Sequence, residues 1–220
     1  MKDVILYHGS KSGIIGNIQA NSRTGCDFGK GFYMGESNKQ AKGLVAEKPN
    51  PVLYTLKFKL SQIPQDRILI LDGENWLYAI LANRGLCEDF SQLKLAEYWI
   101  HKLNQYDVII GEIADDRMND AIQRFSEYGL TDKGLEACLQ SVGYGKQYVV
   151  KNDETCKLIE ILAKRPLAKQ EKATAAEYAR QKRRESANIV NQMAKKYYGQ
   201  GRLLSHIVEA ELEKEAQNNH

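Results

Sequence analysis

Proline is scarce, at 4 of 220 residues, and tryptophan scarcer still, at 2. Hydrophobic residues make up 43% and charged residues 27%. A collagen-like or low-complexity chain needs far more Pro and Gly, and a disordered one far fewer apolar residues, so both are excluded and a packed core is expected. The four cysteines, Cys26, Cys87, Cys138 and Cys156, form no Cys-x-x-Cys pair and have no histidine at zinc-finger spacing. That argues against a disulfide miniprotein and against a metal site, and for unpaired thiols in a reducing compartment. No apolar run approaches the roughly 18 residues that a membrane span requires, so no membrane partner is expected. The opening residues carry no sustained apolar stretch followed by small residues, which predicts no signal peptide and a cytoplasmic location.

A large net charge is lacking as well, but the total of +3 conceals an asymmetry. Residues 1–163 sum to −2, residues 164–202 to +8 and residues 203–220 to −3. Length and charge together predict a compact body over 1–165 and a basic helical extension over 166–220. In the extension, residues 168–198 are rich in Ala, Glu, Lys, Arg and Gln and free of Pro and Gly, which is strong helix composition. Gly199-Gln200-Gly201 ends that helix, and residues 203–215 make a second with Leu204, Ile207, Val208 and Leu212 on one side.

Within the body, Val4-Ile5-Leu6-Tyr7-His8 reads as a strand running into a loop at Gly9-Ser10. Residues 13–24 suggest a short helix or turn. Phe28-Gly29-Lys30-Gly31-Phe32-Tyr33-Met34 reads as a glycine turn entering a strand. Residues 36–46 are helix-compatible with Ser37 as cap. Strands are expected at 52–58, 68–72, 106–111 and 147–150, with Gly111 ending the third. Helices are expected at 75–83, 93–103, 116–128 and 131–139, and mixed strand and loop at 154–163.

Three separated segments, Leu6-Tyr7-His8-Gly9-Ser10, Phe28-Gly29-Lys30-Gly31-Phe32-Tyr33 and Lys146-Gln147-Tyr148-Val149-Val150, resemble in order the three signature segments of the ADP-ribosyltransferase superfamily. The likeness is to the branch that includes the poly-ADP-ribose polymerases and diphtheria toxin. The chain also resembles a bacterial domain family of undefined function placed in that superfamily, through Asp-Val-Ile-Ile-Gly-Glu-Ile-Ala-Asp-Asp-Arg at 107–117. The resemblance spans about residues 3–163 and leaves the extension unexplained. It implies an α+β fold with a split, mainly antiparallel β-sheet core of two small packed sheets, flanking helices and an NAD cleft between them.

The resemblance assigns His8, Tyr33 and Gln147 as catalytic and His8, Gly9, Ser10, Gly31, Tyr33 and Gln40 as cofactor-binding, with NAD as substrate and no metal. His8 is expected to donate to the adenosine-ribose hydroxyl, with Ser10 on the same ribose. Gly9 lacks a Cβ, so its backbone is free to meet the planar nicotinamide amide. Tyr33 offers a face for stacking the nicotinamide, worth about 1 kcal/mol beyond burial. Lys30 is either a pyrophosphate contact or a solvated side chain. Where most of the family has a glutamate, this chain has Gln147, with nearby Gln140 as a rival for the position, and a glutamine orients a hydroxyl but is no general base. That departure implies single transfer rather than polymer growth and leaves deprotonation to the acceptor or to Asp115 or Asp116. Asp115-Asp116-Arg117 is equally readable as a helix cap. Gln40 and Gly43 stand where the polymerases place a serine and a second aromatic, so either the slot is looser or another aromatic serves.

The expected function is therefore a mono-ADP-ribosyltransferase that releases nicotinamide and modifies a macromolecule, protein, RNA or DNA, as the toxin of a toxin–antitoxin or phage-defence system. The alternatives are a catalytically inactive NAD or nucleic-acid binding module and an NAD glycohydrolase. The basic helix within 169–202 is either a solvated helix packed on one side, a nucleic-acid ridge with interleaved tyrosines, or a docking helix for an antitoxin protein.

Overall fold

The computed structural model describes residues 1–114, 119–141, 143 and 145–218. The elements follow in chain order: β1 (Val4–Ser10), β2 (Phe32–Gly35), α1 (Asn38–Val45), β3 (Val52–Phe58), β4 (Ile68–Ile70), α2 (Gly73–Arg84), α3 (Glu88–Ser91), α4 (Lys94–Leu103), β5 (Val108–Glu112), α5 (Asn119–Ser126), α6 (Asp132–Gln140), β6 (Lys146–Val150), α7 (Asp153–Cys156), β7 (Ile159–Pro166), α8 (Lys169–Lys196) and α9 (Leu204–Asn218). The fold class is α+β. Instead of two small sheets, the described strands hydrogen-bond into one seven-stranded sheet of order β4-β5-β6-β2-β1-β3-β7. Neighbours are antiparallel except β4 and β5, which run parallel.

The sheet is nevertheless thin at its middle. β1 and β3 pair along seven residues, whereas β1 and β2 meet at the single pair Tyr7↔Gly35. Strand alternation divides the buried side chains accordingly. On one face, Leu6, Met34, Tyr54, Leu56, Phe58, Val108, Ile110, Tyr148 and Val150 form a continuous layer across the sheet. On the other, Ile109 and Val149 pack with the helical core of Trp76, Phe90, Phe125, Leu135 and Phe28. The β1–β3 half of that second face has its own small cluster of Ala41, Val45, Leu53 and Leu167, with Tyr7 against it. Apolar cover on that face is thus interrupted where β1 parts from β2.

Local signals account for most boundaries. Ser37 caps α1, its Oγ accepting the Gln40 N–H at 3.2 Å. Gly85 ends α2 in the left-handed conformation, φ 62°. Residues 13–24 take the turn-and-loop alternative, as bends without a helix. One expectation fails. Gly111 sits inside β5 instead of ending it, because a Cβ there would lie 2.7 Å from Phe28 Cζ and 2.9 Å from Trp76 Cδ1. Glycine serves at that position as space for two aromatic rings, a need invisible to local propensity.

The C-terminal helices share the body's cores. Ala175 and Ala176 of α8 pack on Ala46, and Val190 joins the helical core with Leu204 and Ile207 of α9. Glu171 ties the start of α8 to both neighbours. It takes a bidentate bond from Arg165 at 2.6 and 2.8 Å and one from Lys42 at 2.9 Å. Those two cations hold its carboxyl well below the usual carboxylate range. Among the described residues no helix is long and apolar enough to cross a membrane.

The packing around Gly111 generates a stability prediction. Gly111→Ala forces a methyl between Phe28 and Trp76 and costs about 1–3 kcal/mol by overpacking. The thermal midpoint, followed by circular dichroism, is expected to fall by roughly 2–4 °C per kcal/mol. An unchanged midpoint would refute this account of the glycine.

Candidate active site

A cavity of about 430 Å³ opens where β1 parts from β2. His8 and Gly9 of β1, Tyr33 of β2, Gln40 of α1 and Gln147 of β6 all line it. The three candidate catalytic residues are thus brought to one hollow from positions 25 and 114 residues apart in the chain. Ser10 and Gly31 stand back from it. Ser10 Oγ accepts the Gly13 N–H at 3.0 Å, and Gly31 lies against β6, where a Cβ would come within 2.6 Å of Val149 Cγ1. Lys30 is exposed and outside the lining. Asp115, Asp116 and Arg117 lie outside the described residues.

His8 bridges the parting strands. Its Nδ1 is 2.7 Å from the Tyr33 carbonyl oxygen, and its ring packs 4.6 Å from the Phe32 ring centroid. A carbonyl only accepts, so Nδ1 carries the hydrogen. Burial pushes the imidazole pKa below its ordinary value, outweighing the carbonyl bond that raises it. A neutral ring with its one N–H committed leaves Nε2 as an acceptor. His8 is therefore set to accept from a hydroxyl, the reverse of the donor role expected from the sequence.

Tyr33 is held by the turn that precedes it. Its hydroxyl donates to the Gly29 carbonyl at 2.7 Å and accepts the Phe28 N–H at 3.0 Å. Burial, reinforced by the Asp27 carboxylate, drives its pKa far above the phenol range, so the hydroxyl remains a donor. What Tyr33 offers the cavity is its ring. The turn itself is pinned by further groups that sequence reading did not identify. Gly29 takes φ +74°, Lys151 Nζ donates to the Phe28 carbonyl at 2.6 Å, and Ser22 Oγ accepts the Gly31 N–H at 3.2 Å. Burial lowers the Lys151 pKa to about 8.

Gln147 is buried, and its Nε2 donates both to Asp27 Oδ2 at 2.6 Å and to the Glu112 carbonyl at 3.0 Å. Asp27 in turn forms an ion pair with Arg84 at 2.7 Å, with side chains only 9% and 4% exposed. Arg84 also donates to the Ala114 carbonyl and to Asn119 Oδ1. Nothing in the local sequence marks Asp27 or Arg84, which come from a loop and a helix 57 residues apart. Their only sequence signal is two charges set among residues that read as core. Arg23, Lys39, Lys48 and Glu47 supply charge around the cavity, and Tyr178 and Ala179 of α8 close one wall. A Cβ built on Gly43 would lie 4.0 Å from the Ala179 Cβ, an ordinary contact between α1 and α8. Among the described residues no group of three or more His, Cys, Asp or Glu is arranged to hold a metal ion.

The state of His8 implies a pH dependence. The unfolded chain takes up a proton near pH 6.5, while the folded site resists it until lower pH, so acid favours unfolding through this group. The stability difference between wild type and His8→Gln is expected to shrink steadily from pH 7.5 to 5 in urea titrations. A difference independent of pH would show that His8 is not held neutral.

Comparison with known proteins places the chain without assigning it an activity. No curated protein and no solved structure matches it. Residues 4–161 match the model of a family described as a protein of unknown function, DUF3990, and the match covers the whole of the sheet apart from the end of β7. The chain belongs to that family.

Proposed function

We propose that this protein is a mono-ADP-ribosyltransferase that cleaves NAD and transfers ADP-ribose to a macromolecular acceptor. One observation carries the reading: His8, Tyr33 and Gln147, the ordered set singled out in the sequence, line a single cavity at the split of the sheet. Groups along that cavity suit several parts of a dinucleotide. The Tyr33 ring gives a stacking surface for nicotinamide. Tyr178 lies in the same wall as Gly43 and supplies the second aromatic that Gly43 does not. Neutral His8 accepts from a ribose hydroxyl through Nε2. Arg23, Lys39 and Lys48 bring positive charge for a diphosphate.

In the reaction the bond between the anomeric ribose carbon and the nicotinamide nitrogen breaks. The electron pair leaves with nicotinamide, whose ring becomes neutral, and the ribose becomes oxocarbenium-like. An acceptor nucleophile then bonds to the anomeric carbon and gives up its proton. Gln147 orients a ribose hydroxyl without acting as base, so either the acceptor is a good nucleophile in its own right or another residue such as Asp115 or Asp116 takes its proton. Preorganised acceptors beside the sugar lower the barrier to charge development. Because Gln147 cannot activate a sugar hydroxyl as a base, the chemistry favours one transfer over chain growth. A growth-arresting toxin with an antitoxin partner, acting on protein, RNA or DNA, is the physiological setting that suits such an activity.

The test uses NAD labelled in the adenine, incubated with the protein and with cell protein, RNA and DNA fractions. Label is expected on one macromolecular class, with release of free nicotinamide. His8→Ala and Tyr33→Ala are expected to lose about 100-fold or more, as misplaced reacting groups do. Tyr33→Phe keeps the ring and is expected to retain most NAD affinity while losing about 1 kcal/mol of stability with the turn's two hydrogen bonds. Intact NAD and no labelled acceptor would overturn the proposal. Free ADP-ribose as the sole product would replace it with NAD hydrolysis.

A further inference from the structure

We infer that Asp27 is a positioning residue that makes Gln147 an obligate hydrogen-bond acceptor and supplies the negative charge that a glutamine lacks. The inference rests on the NAD reading for its ligand, but its geometric half stands without it. The Gln147 amide nitrogen has two hydrogens, and both are spent, one on Asp27 Oδ2 at 2.6 Å and one on the Glu112 carbonyl at 3.0 Å. An amide flip would turn Oε1 against a carboxylate and a carbonyl, two groups that only accept, so the flipped state is excluded. Among the described residues nothing donates to Oε1. The locked amide therefore offers the cavity an acceptor alone, and the group that fits there is a hydroxyl donor such as a ribose hydroxyl.

The same arrangement shapes the field. Asp27 lines the cavity with Gln147, while Arg84, its ion-pair partner, does not. The pair thus turns its negative end toward the hollow and its positive end into the protein. Fixed in a site sheltered from water, such a dipole stabilises positive charge developing on a sugar and needs no reorganisation during the reaction. The charge comes from one side chain and the hydroxyl contact from another.

A glutamate at 147 fits this site poorly. It has no hydrogen to give Asp27 or the Glu112 carbonyl, and two carboxylates 2.6 Å apart cannot both remain ionised. The chain is thereby committed to glutamine by a residue 120 positions away.

The experiment titrates NAD by calorimetry into wild type, Gln147→Glu and the double variant Asp27→Asn/Gln147→Glu, between pH 6 and 8. Gln147→Glu is expected to bind NAD about tenfold or more weakly, with binding improving toward low pH as the forced carboxyl pair takes up a proton. In the double variant a side-chain amide at position 27 faces the new carboxylate, so the pH dependence is expected to disappear and part of the lost affinity to return, while the Glu112 carbonyl, still without its donor, keeps binding below wild type. Gln147→Glu behaving as wild type, or the two substitutions acting additively, would overturn the inference. Side-chain amide NMR of the wild-type protein provides a readout that needs neither NAD nor a variant that folds. The Gln147 Nε2 protons are expected to exchange with solvent at least about a hundredfold more slowly than those of exposed glutamines. Exchange at the exposed rate would refute the lock. A slow amide with no NAD binding in wild type would sustain the lock and reject the ligand.

Discussion

An ion pair buried under the cleft holds the site together. Asp27 and Arg84 lose nearly all contact with water, a cost that their mutual attraction offsets only because further bonds satisfy both ends. Arg84 reaches the Asp27 carboxylate, the Ala114 carbonyl and Asn119, and Asp27 receives Gln147. The pair therefore connects the glycine turn before β2, the C-terminal end of α2, the stretch after β5 and the start of β6. Remove either charge and the other remains stranded in a medium that cannot hydrate it. Few interactions in the molecule constrain as many elements at once.

The cleft follows from a second constraint, the thinness of the sheet between β1 and β2. A sheet paired along its full length would bring an unbroken layer of side chains to each face. Here one face is continuous, and the other is covered by two separate apolar clusters with the cavity between them. His8 spans the gap with a side chain where backbone ladder bonds would otherwise stand. A residue that substitutes for sheet pairing in this way is restrained in position and tautomer. Tyr33 is restrained in the same manner by the turn it follows.

The C-terminal helices extend the site as well as the core. α8 begins under a three-way clamp on Glu171, passes α1 at Gly43, and contributes Tyr178 and Ala179 to the cavity. Both α8 and α9 lie beyond the residues that match the family model.

Sequence alone determined the elements whose signals are local. The alternation in β3 and β6, the Ser37 cap and the long Ala- and Lys-rich helix were all readable because each depends on neighbours a few residues away. The order of His8, Tyr33 and Gln147 was readable through a resemblance, and the fold places all three along one cavity. What only the tertiary structure decided involves partners distant in the chain. Gly111 resembled a strand end until two rings from other elements occupied the space beside it. Asp27 and Arg84 were not marked by their neighbours in the sequence, and only the folded chain brings them together as a buried pair. The donor or acceptor character of His8 and Gln147 depended on which carbonyl or carboxylate each met, and such pairings are set by packing rather than by the residues adjoining them.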